Sequence, residues 1–352
     1  MSRRARPAPP VLALLALTVA LGACGKTVDT REPDLRAGSP KPPPTATTPA
    51  PAVRNRPTPS GRVRIAVVTH GQASDPFWAV VKNGIDQASR QLGVSVTYSA
   101  PDTTDLPRMR QLILQAISSK PDGLVVSIPD ERALGGAIRT AVRAGIPVVS
   151  INSGTAVSKQ LGVLAHVGQP DEAAGLAAGQ RMAAEGVREA VCVKHERGNA
   201  GLDERCRGFI SAIRNAGGHA SEFSINLQDR HAAEQKVGAE VITRHVDGML
   251  TLGPAGTQAA IAGLQLNRLL GSVHLATFDL SPEVLTALER RQIEFAVDQQ
   301  PFLQGYLPIV FLTENRRYGL IPAKGTLVPT GPSFVTRANA GRVAQLTKQG
   351  IR

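Results

Sequence analysis

Carboxylates, amides and one guanidinium recur in this chain directly after short apolar runs. The stretches are His70 to Trp78, Ser127-Ile128-Pro129-Asp130, Asn152-Ser153-Gly154, Lys194-His195-Glu196, Gly253-Pro254, Asp279-Leu280-Ser281 and Asp298-Gln299-Gln300, with Arg205 nearby. Such a set reads hydroxyl groups: carboxylates accept from them, guanidinium donates to them, and amides do both. With only one Trp, three Tyr and eight Phe in the chain, the adjacency of Phe77 and Trp78 after Asp75-Pro76 is informative. An aromatic face beside polar groups suits a pyranose or polyol, whose C–H faces pack on rings; the alternative is that the pair pins the first helix to its sheet. Asp75 and Asp279 are also the types for acid–base work, or for helix caps, and Ser281-Pro282 reads as a cap itself. No nucleophile elbow, phosphate loop or zinc-helix motif occurs, and the seven histidines lack ligand spacing. The expectation is a binding site with no catalytic residue, metal or cofactor.

Strands and helices must position these groups. Val63 to Val68 is a β-branched run, followed by Val80, Val81, Ile85, Ala88 and Leu92 at near-helical spacing. Further apolar runs fall at 123–128, 146–151, 190–193, 248–252, 273–278 and 293–297, with amphipathic stretches between them. Strands that are apolar throughout and alternate with helices form parallel sheets covered on both faces. About ten such units exceed one ordinary sheet. The fold class is therefore α/β, with two similar lobes, each a parallel sheet with helices on both faces. In such sheets ligands bind beyond the carboxyl ends of the strands, where the polar stretches lie.

Composition narrows the function further. Forty Lys and Arg against 28 Asp and Glu give +12 over 352 residues. Arg3, Arg4 and Arg6 supply three of these charges and the Gly25–Gly61 stretch another three, which leaves about +6 for the rest. These basic residues are scattered, without the aromatic-laced stripe of a nucleic-acid groove. At the N-terminus a basic start precedes an apolar run, Val11 to Leu21, and then Leu21-Gly22-Ala23-Cys24. The run is too short to span a bilayer and reads as a signal peptide, 1–23. Its last four residues resemble the lipobox of bacterial lipoproteins, which implies lipid on Cys24 and anchoring at the outer face of the cytoplasmic membrane. Residues 24–61 hold nine prolines and no periodicity after Cys24, the composition of an extended tether. Cys192 and Cys206 lie fourteen apart; outside the cytoplasm the spacing allows a disulfide, and two buried thiols are the other reading.

From Arg62 to about Thr336 the chain resembles the type I periplasmic binding proteins of sugar ABC transporters, the ribose-binding-like group. Five motifs carry the likeness: Ser74-Asp75-Pro76-Phe77-Trp78, Gly145-Ile146-Pro147-Val148-Val149-Ser150-Ile151-Asn152, Asp203-Glu204-Arg205-Cys206-Arg207-Gly208-Phe209, Thr277-Phe278-Asp279 and Asp298-Gln299. The resemblance implies ligand contacts from Asp75, Phe77, Trp78, Asn152, Arg205, Asp279 and Gln299. Ser127, His195 and Asn199 are further candidates. It also implies a three-crossover hinge, with lobes of 62–167 plus 300–331 and 168–299 plus 332–352. A monomer that closes on a monosaccharide or polyol and delivers it to an ABC permease is expected, not an enzyme. The family often has Asp-Arg at Asn152-Ser153 and Asn-Asp at Gly253-Pro254, so the resemblance does not single out ribose, and another monosaccharide, a polyol or an inositol fits at least as well. Two alternatives are a sensor that signals to a membrane receptor and a surface-anchored carbohydrate-active enzyme.

Overall fold

A computed structural model describes residues 61–71 and 75–352. The signal peptide, Cys24, the tether up to residue 60 and Ser74 lie outside the described residues. The first half runs β1 (Arg64–Val68), α1 (Pro76–Leu92), β2 (Ser95–Ser99), α2 (Leu106–Ser118), β3 (Gly123–Ser127) and α3 (Glu131–Arg143). β4 (Val148–Ile151), the single turn α4 (Thr155–Ser158) and β5 (Ala165–Gly168) complete it. The second half runs α5 (Asp171–Ala184), β6 (Glu189–Lys194), α6 (Ala200–Asn215), β7 (His219–Ser224), α7 (Arg230–Arg244) and β8 (Gly248–Thr251). α8 (Pro254–Leu266), β9 (His274–Phe278), α9 (Pro282–Glu289) and β10 (Phe295–Asp298) follow. The chain ends with α10 (Pro301–Tyr318), β11 (Thr326–Pro329), β12 (Ser333–Thr336) and α11 (Arg337–Lys348).

Two six-stranded sheets result, ordered β11-β5-β4-β3-β1-β2 and β12-β10-β9-β8-β6-β7. All pairings are parallel except β12 with β10. Each sheet carries one apolar cluster on each face, under helices, as fully apolar central strands require. β11 joins the first sheet and β12 the second, so the chain passes between sheets after β5, after β10 and after β11.

The two sheets repeat one plan. Ile65 stands opposite Gly123 in the first as Ala190 stands opposite Gly248 in the second. Counting along from these anchors places His70 with His195, Asn152 with Asp279, and Gln169 with Gln299. Helix packing repeats as well. A Cβ on Gly84 or Gly305 would overlap the carbonyl of Phe302 or Val81, so α1 and α10 touch backbone to backbone. Gly208 and Gly175 bring α6 and α5 together against the carbonyls of Glu172 and Arg205 in the same way. Val81 in the first lobe thus holds the position that Arg205 holds in the second.

Sequence periodicity passed over several elements. β2 (SVTYS) and β7 (HASEFS) are sheet edges and only half buried, so they lack the apolar signature of the central strands. β5 carries His166, and α10 carries Pro308 inside a helix whose two faces are equally polar. β11 and β12 are short, with one buried residue between them.

Candidate ligand-binding cleft

The carboxyl ends of both sheets face one cleft of about 1220 Å³. Asp75, Phe77, Trp78, Asn152, Arg205, Asp279, Gln299, His195 and Asn199, all singled out from the sequence, line it. Ser127 does not. It is fully buried, and its Oγ accepts the backbone N–H of His70 (3.0 Å) and is hydrogen-bonded with His70 Nδ1 (2.8 Å). As the last residue of β3 it points between strands and holds the His70 ring in place. The polar lining that sequence reading did not name as ligand-binding includes His70, Glu196, Thr103, Thr104, Asn226 and Gln228. Thr103–Thr104 follow β2 and Asn226–Gln228 follow β7, so strand ends that are missed hide the groups beyond them.

Local backbone rules place each group. Asp75 and Asn199 are the N-caps of the paired helices α1 and α6, accepting from Phe77 N–H at 2.8 Å and Gly201 N–H at 3.1 Å. Each turns its remaining polar atoms to the cleft. Asn152 and Asp279 end equivalent strands with φ of 60° and 65°, a left-handed kink that Asn and Asp tolerate better than other side chains. Ser281, not Asp279, caps α9, its Oγ accepting from Val284 N–H at 3.2 Å. Asp279 is thereby free of cap duty and is 9% exposed.

A chain of hydrogen bonds runs along the cleft floor. Asn152 Nδ2 donates to Gln299 Oε1 at 3.3 Å, and Gln299 Nε2 donates to Asp279 Oδ1 at 2.6 Å. Arg205 Nε donates to Asp171 Oδ1 at 2.8 Å while its guanidinium lies 4.6 Å from the Phe278 ring centre. Among the described residues its Nη atoms make no hydrogen bond. Trp78 stands edge-on to both His70 (5.0 Å) and Phe77 (5.1 Å) and is buried at the cleft wall and in the core beneath it. The pair thus pins the first helix to its sheet and also lines the cleft.

Burial sets the electrostatics. It pushes Asp279 up to about 7, against the opposing pull of Arg205 and the Gln299 amide. It pushes Asp75 up to about 6, partly offset by the Phe77 N–H. For Glu196, burial is outweighed by His70, His195, the Asn199 amide and Arg205, so its carboxyl stays below the ordinary range. Burial lowers both His70 and His195. The Arg205 charge is disfavoured by burial and restored by Asp171, Asp279 and Glu196, which leaves it firmly protonated.

Cys192 on β6 and Cys206 on α6 form a disulfide with Cα atoms 5.5 Å apart. It ties α6 to β6 at the residue next to Arg205. A surface triad, Glu185, His274 and Glu294, gathers ligand-type atoms within 4.8 Å of one another. It lies at the amino ends of β9 and β10, away from the cleft, and Arg181 already stands 3.5 Å from Glu185. No helix among the described residues is long and apolar enough to cross a membrane.

Known proteins share this plan. A carbohydrate transporter from Acidothermus cellulolyticus 11B, solved in complex with myo-inositol, is 33% identical with a TM-score of 0.78, covering 83% of this chain and all of that one. The xylose/arabinose-binding protein XylF of Sulfolobus acidocaldarius is 25% identical over 298 residues, 78% of this chain and 71% of the relative. A glucose-galactose binding protein from Geobacillus stearothermophilus, 20% identical with a TM-score of 0.71 over 79% of this chain and 99% of that one, shares the fold. The family model described as "Periplasmic binding protein domain" matches residues 65–315, from β1 into α10 and so through the strand ends that build the cleft. By that match and that architecture, the chain belongs to the periplasmic binding protein family.

Proposed function

We propose that this protein captures a monosaccharide or cyclic polyol between its two lobes and presents it to an ABC permease. One observation carries the reading: both sheets aim equivalent polar groups (His70 with His195, Asn152 with Asp279, Asp75 with Asn199) into one cleft that Phe77 and Trp78 flank. A ligand there touches both lobes, so binding favours the closed arrangement over the open one. The lobes are 62–167 plus 300–331 and 168–299 plus 332–352, and they turn about the crossings at Gln169, Gln299–Gln300 and Thr330–Pro332. Asp75, Phe77, Trp78, Asn152, Arg205, Asp279 and Gln299 hold the ligand, with His195 and Asn199 beside them. Ser127 acts through His70. The relatives' myo-inositol, pentose and hexose ligands make polyhydroxylated rings the first probes.

No catalytic step belongs to this reading. The protein works as a monomer, exported and held at the membrane by lipid on Cys24. A thermal-shift screen of aldoses, ketoses, inositols and sugar alcohols tests it. A ligand at one hundred times its dissociation constant stabilises by about 2.7 kcal/mol. A stabilising compound recovered unchanged supports capture. Recovery as product, or no shift from any polyhydroxylated ring, overturns it.

A further inference from the structure

Charge does not balance inside the cleft. Asp75 from the start of α1, Glu196 from the β6–α6 loop and Asp279 from the β9–α9 loop line it together. Glu196 acts electrostatically on Asp75, and Asp75 on Asp279, so the three carboxylates share one field. Arg205 is the buried cation among the described cleft residues, and its Nε is committed to Asp171. The equivalent position in the first lobe is Val81, so α1 adds no cation. Arg197 from the β6–α6 loop and Lys236 from α7 stand exposed at the margin, where water and salt screen them. The β4–α4 and β10–α10 loops contribute only neutral Asn152, Ser153 and Gln299, and burial lowers the pKa of His70 and His195.

We propose, building on the capture reading above, that the ligand is a polyol bearing a protonated amine, an amino sugar or aminocyclitol, with its ammonium placed among Asp75, Glu196 and Asp279. An ammonium offers three donors and one positive charge to three carboxylates served by one buried guanidinium, with His195 Nε2 3.9 Å from Glu196. Burying carboxylates without a countercharge is costly, and a neutral ring leaves that cost in place once closure removes water. The same field repels sugar phosphates and uronic acids, so it selects against anionic rings as well as for cationic ones. Arg205, Asn152 and Gln299 remain to read the hydroxyls.

Burial raises Asp75 to about 6 and Asp279 to about 7, the latter against the pull of Arg205. Over the range from pH 5 to 7 Asp75, at about 6, ionises and Asp279, at about 7, becomes half ionised, while Arg205, whose pKa its carboxylate neighbours raise, stays charged. Affinity for a protonated amine therefore rises with pH across it.

Isothermal titration of the purified protein with matched rings tests this: D-glucose, D-glucosamine and N-acetyl-D-glucosamine; D-galactose and D-galactosamine; myo-inositol and an aminodeoxyinositol. The expected result is an amine that binds at least tenfold tighter than its hydroxyl parent at pH 7. N-acetylation or a shift to pH 5 removes that gain, and Asp279→Asn narrows the ratio. Parents that bind as tightly as their amines overturn the inference and leave capture standing. If no ring of either kind binds, both fall.

Discussion

Replacing Arg205 by methionine separates what its charge does for the fold from what it does for the ligand. Methionine keeps the length and much of the packing on Phe278 but removes the partner of Asp171. The Asp171 side chain is fully buried, and its Oδ2 already has no partner among the described residues. Breaking a buried pair on one side costs about 3–5 kcal/mol. At about 2–4 °C per kcal/mol for a chain of this size class, Arg205→Met lowers the Tm by roughly 6–20 °C at neutral pH. The loss carries a pH signature. Burial already raises Asp171, and without Arg205 its folded value rises further. Between the unfolded value of about 3.9 and that folded value, the unfolded chain has released a proton that the native state retains, so stability falls as pH increases. The wild type loses stability over the lower part of that range as well, so the deficit against it grows, by up to about 1.4 kcal/mol per unit, only between the wild-type and the variant folded values. Arg205→Met/Asp171→Asn removes the stranded charge and regains most of the Tm while still failing to bind ligand. Denaturation followed from pH 4 to 8, with titration calorimetry on both variants, checks each step. A deficit that is flat with pH, or a double variant that binds as wild type, refutes the reasoning.

Other perturbations read other parts of the site. Trp78→Ala removes edge contacts with His70 and Phe77 and weakens ligand binding by at least about 1 kcal/mol, a fivefold or larger rise in Kd by calorimetry. Cys192→Ser/Cys206→Ser opens a loop with a sequence separation of 14, worth about 3 kcal/mol in the chain-entropy model, as a lower midpoint in urea. Its Kd stays near wild type if the bond serves stability alone and rises if it also holds Arg205 in place. Cys24→Ser abolishes incorporation of a labelled fatty acid and releases the protein from membranes on fractionation.

What the sequence made legible follows from where each element sits. Central strands are buried on both faces and so are apolar throughout, as in GLVVS of β3, and they stand out at once. Edge strands have one wet side, and SVTYS or HASEFS carries no such mark. That difference decided the site reading too, because Thr103, Thr104, Asn226 and Gln228 lie beyond the edges. Ser127 shows the limit of reading from strand ends: a terminal side chain faces either the cleft or its neighbouring strand, and spacing does not say which. Two similar lobes are expected from the sequence; the residue-by-residue duplication within them is not, for a similar reason. It keeps what the backbone needs, such as Gly84 with Gly208 at a helix contact, and lets the side chains diverge, as Val81 and Arg205 have.

Asn199 sits on the seam between the loops of the two sheets and has polar partners on both sides. Its Nδ2 donates to Glu196 Oε2 at 2.7 Å within its own lobe and lies 3.4 Å from His70 Nε2 across the cleft. Its Oδ1 accepts Gly201 N–H within its lobe and faces Ser153 Oγ, 3.2 Å away on the other side. Ala200 N–H to Pro129 O, 2.9 Å, adds a backbone bond across the same seam. In the proposed cycle, opening exchanges these cross-lobe bonds for bonds to water, an exchange worth about 1 kcal/mol or less apiece. Gly201 and Glu196 keep Asn199 oriented throughout, so the seam re-forms without reordering the side chain. In that cycle, ligand contacts to Asp75 on one side and to Arg205 and Asp279 on the other bias the equilibrium toward the closed arrangement.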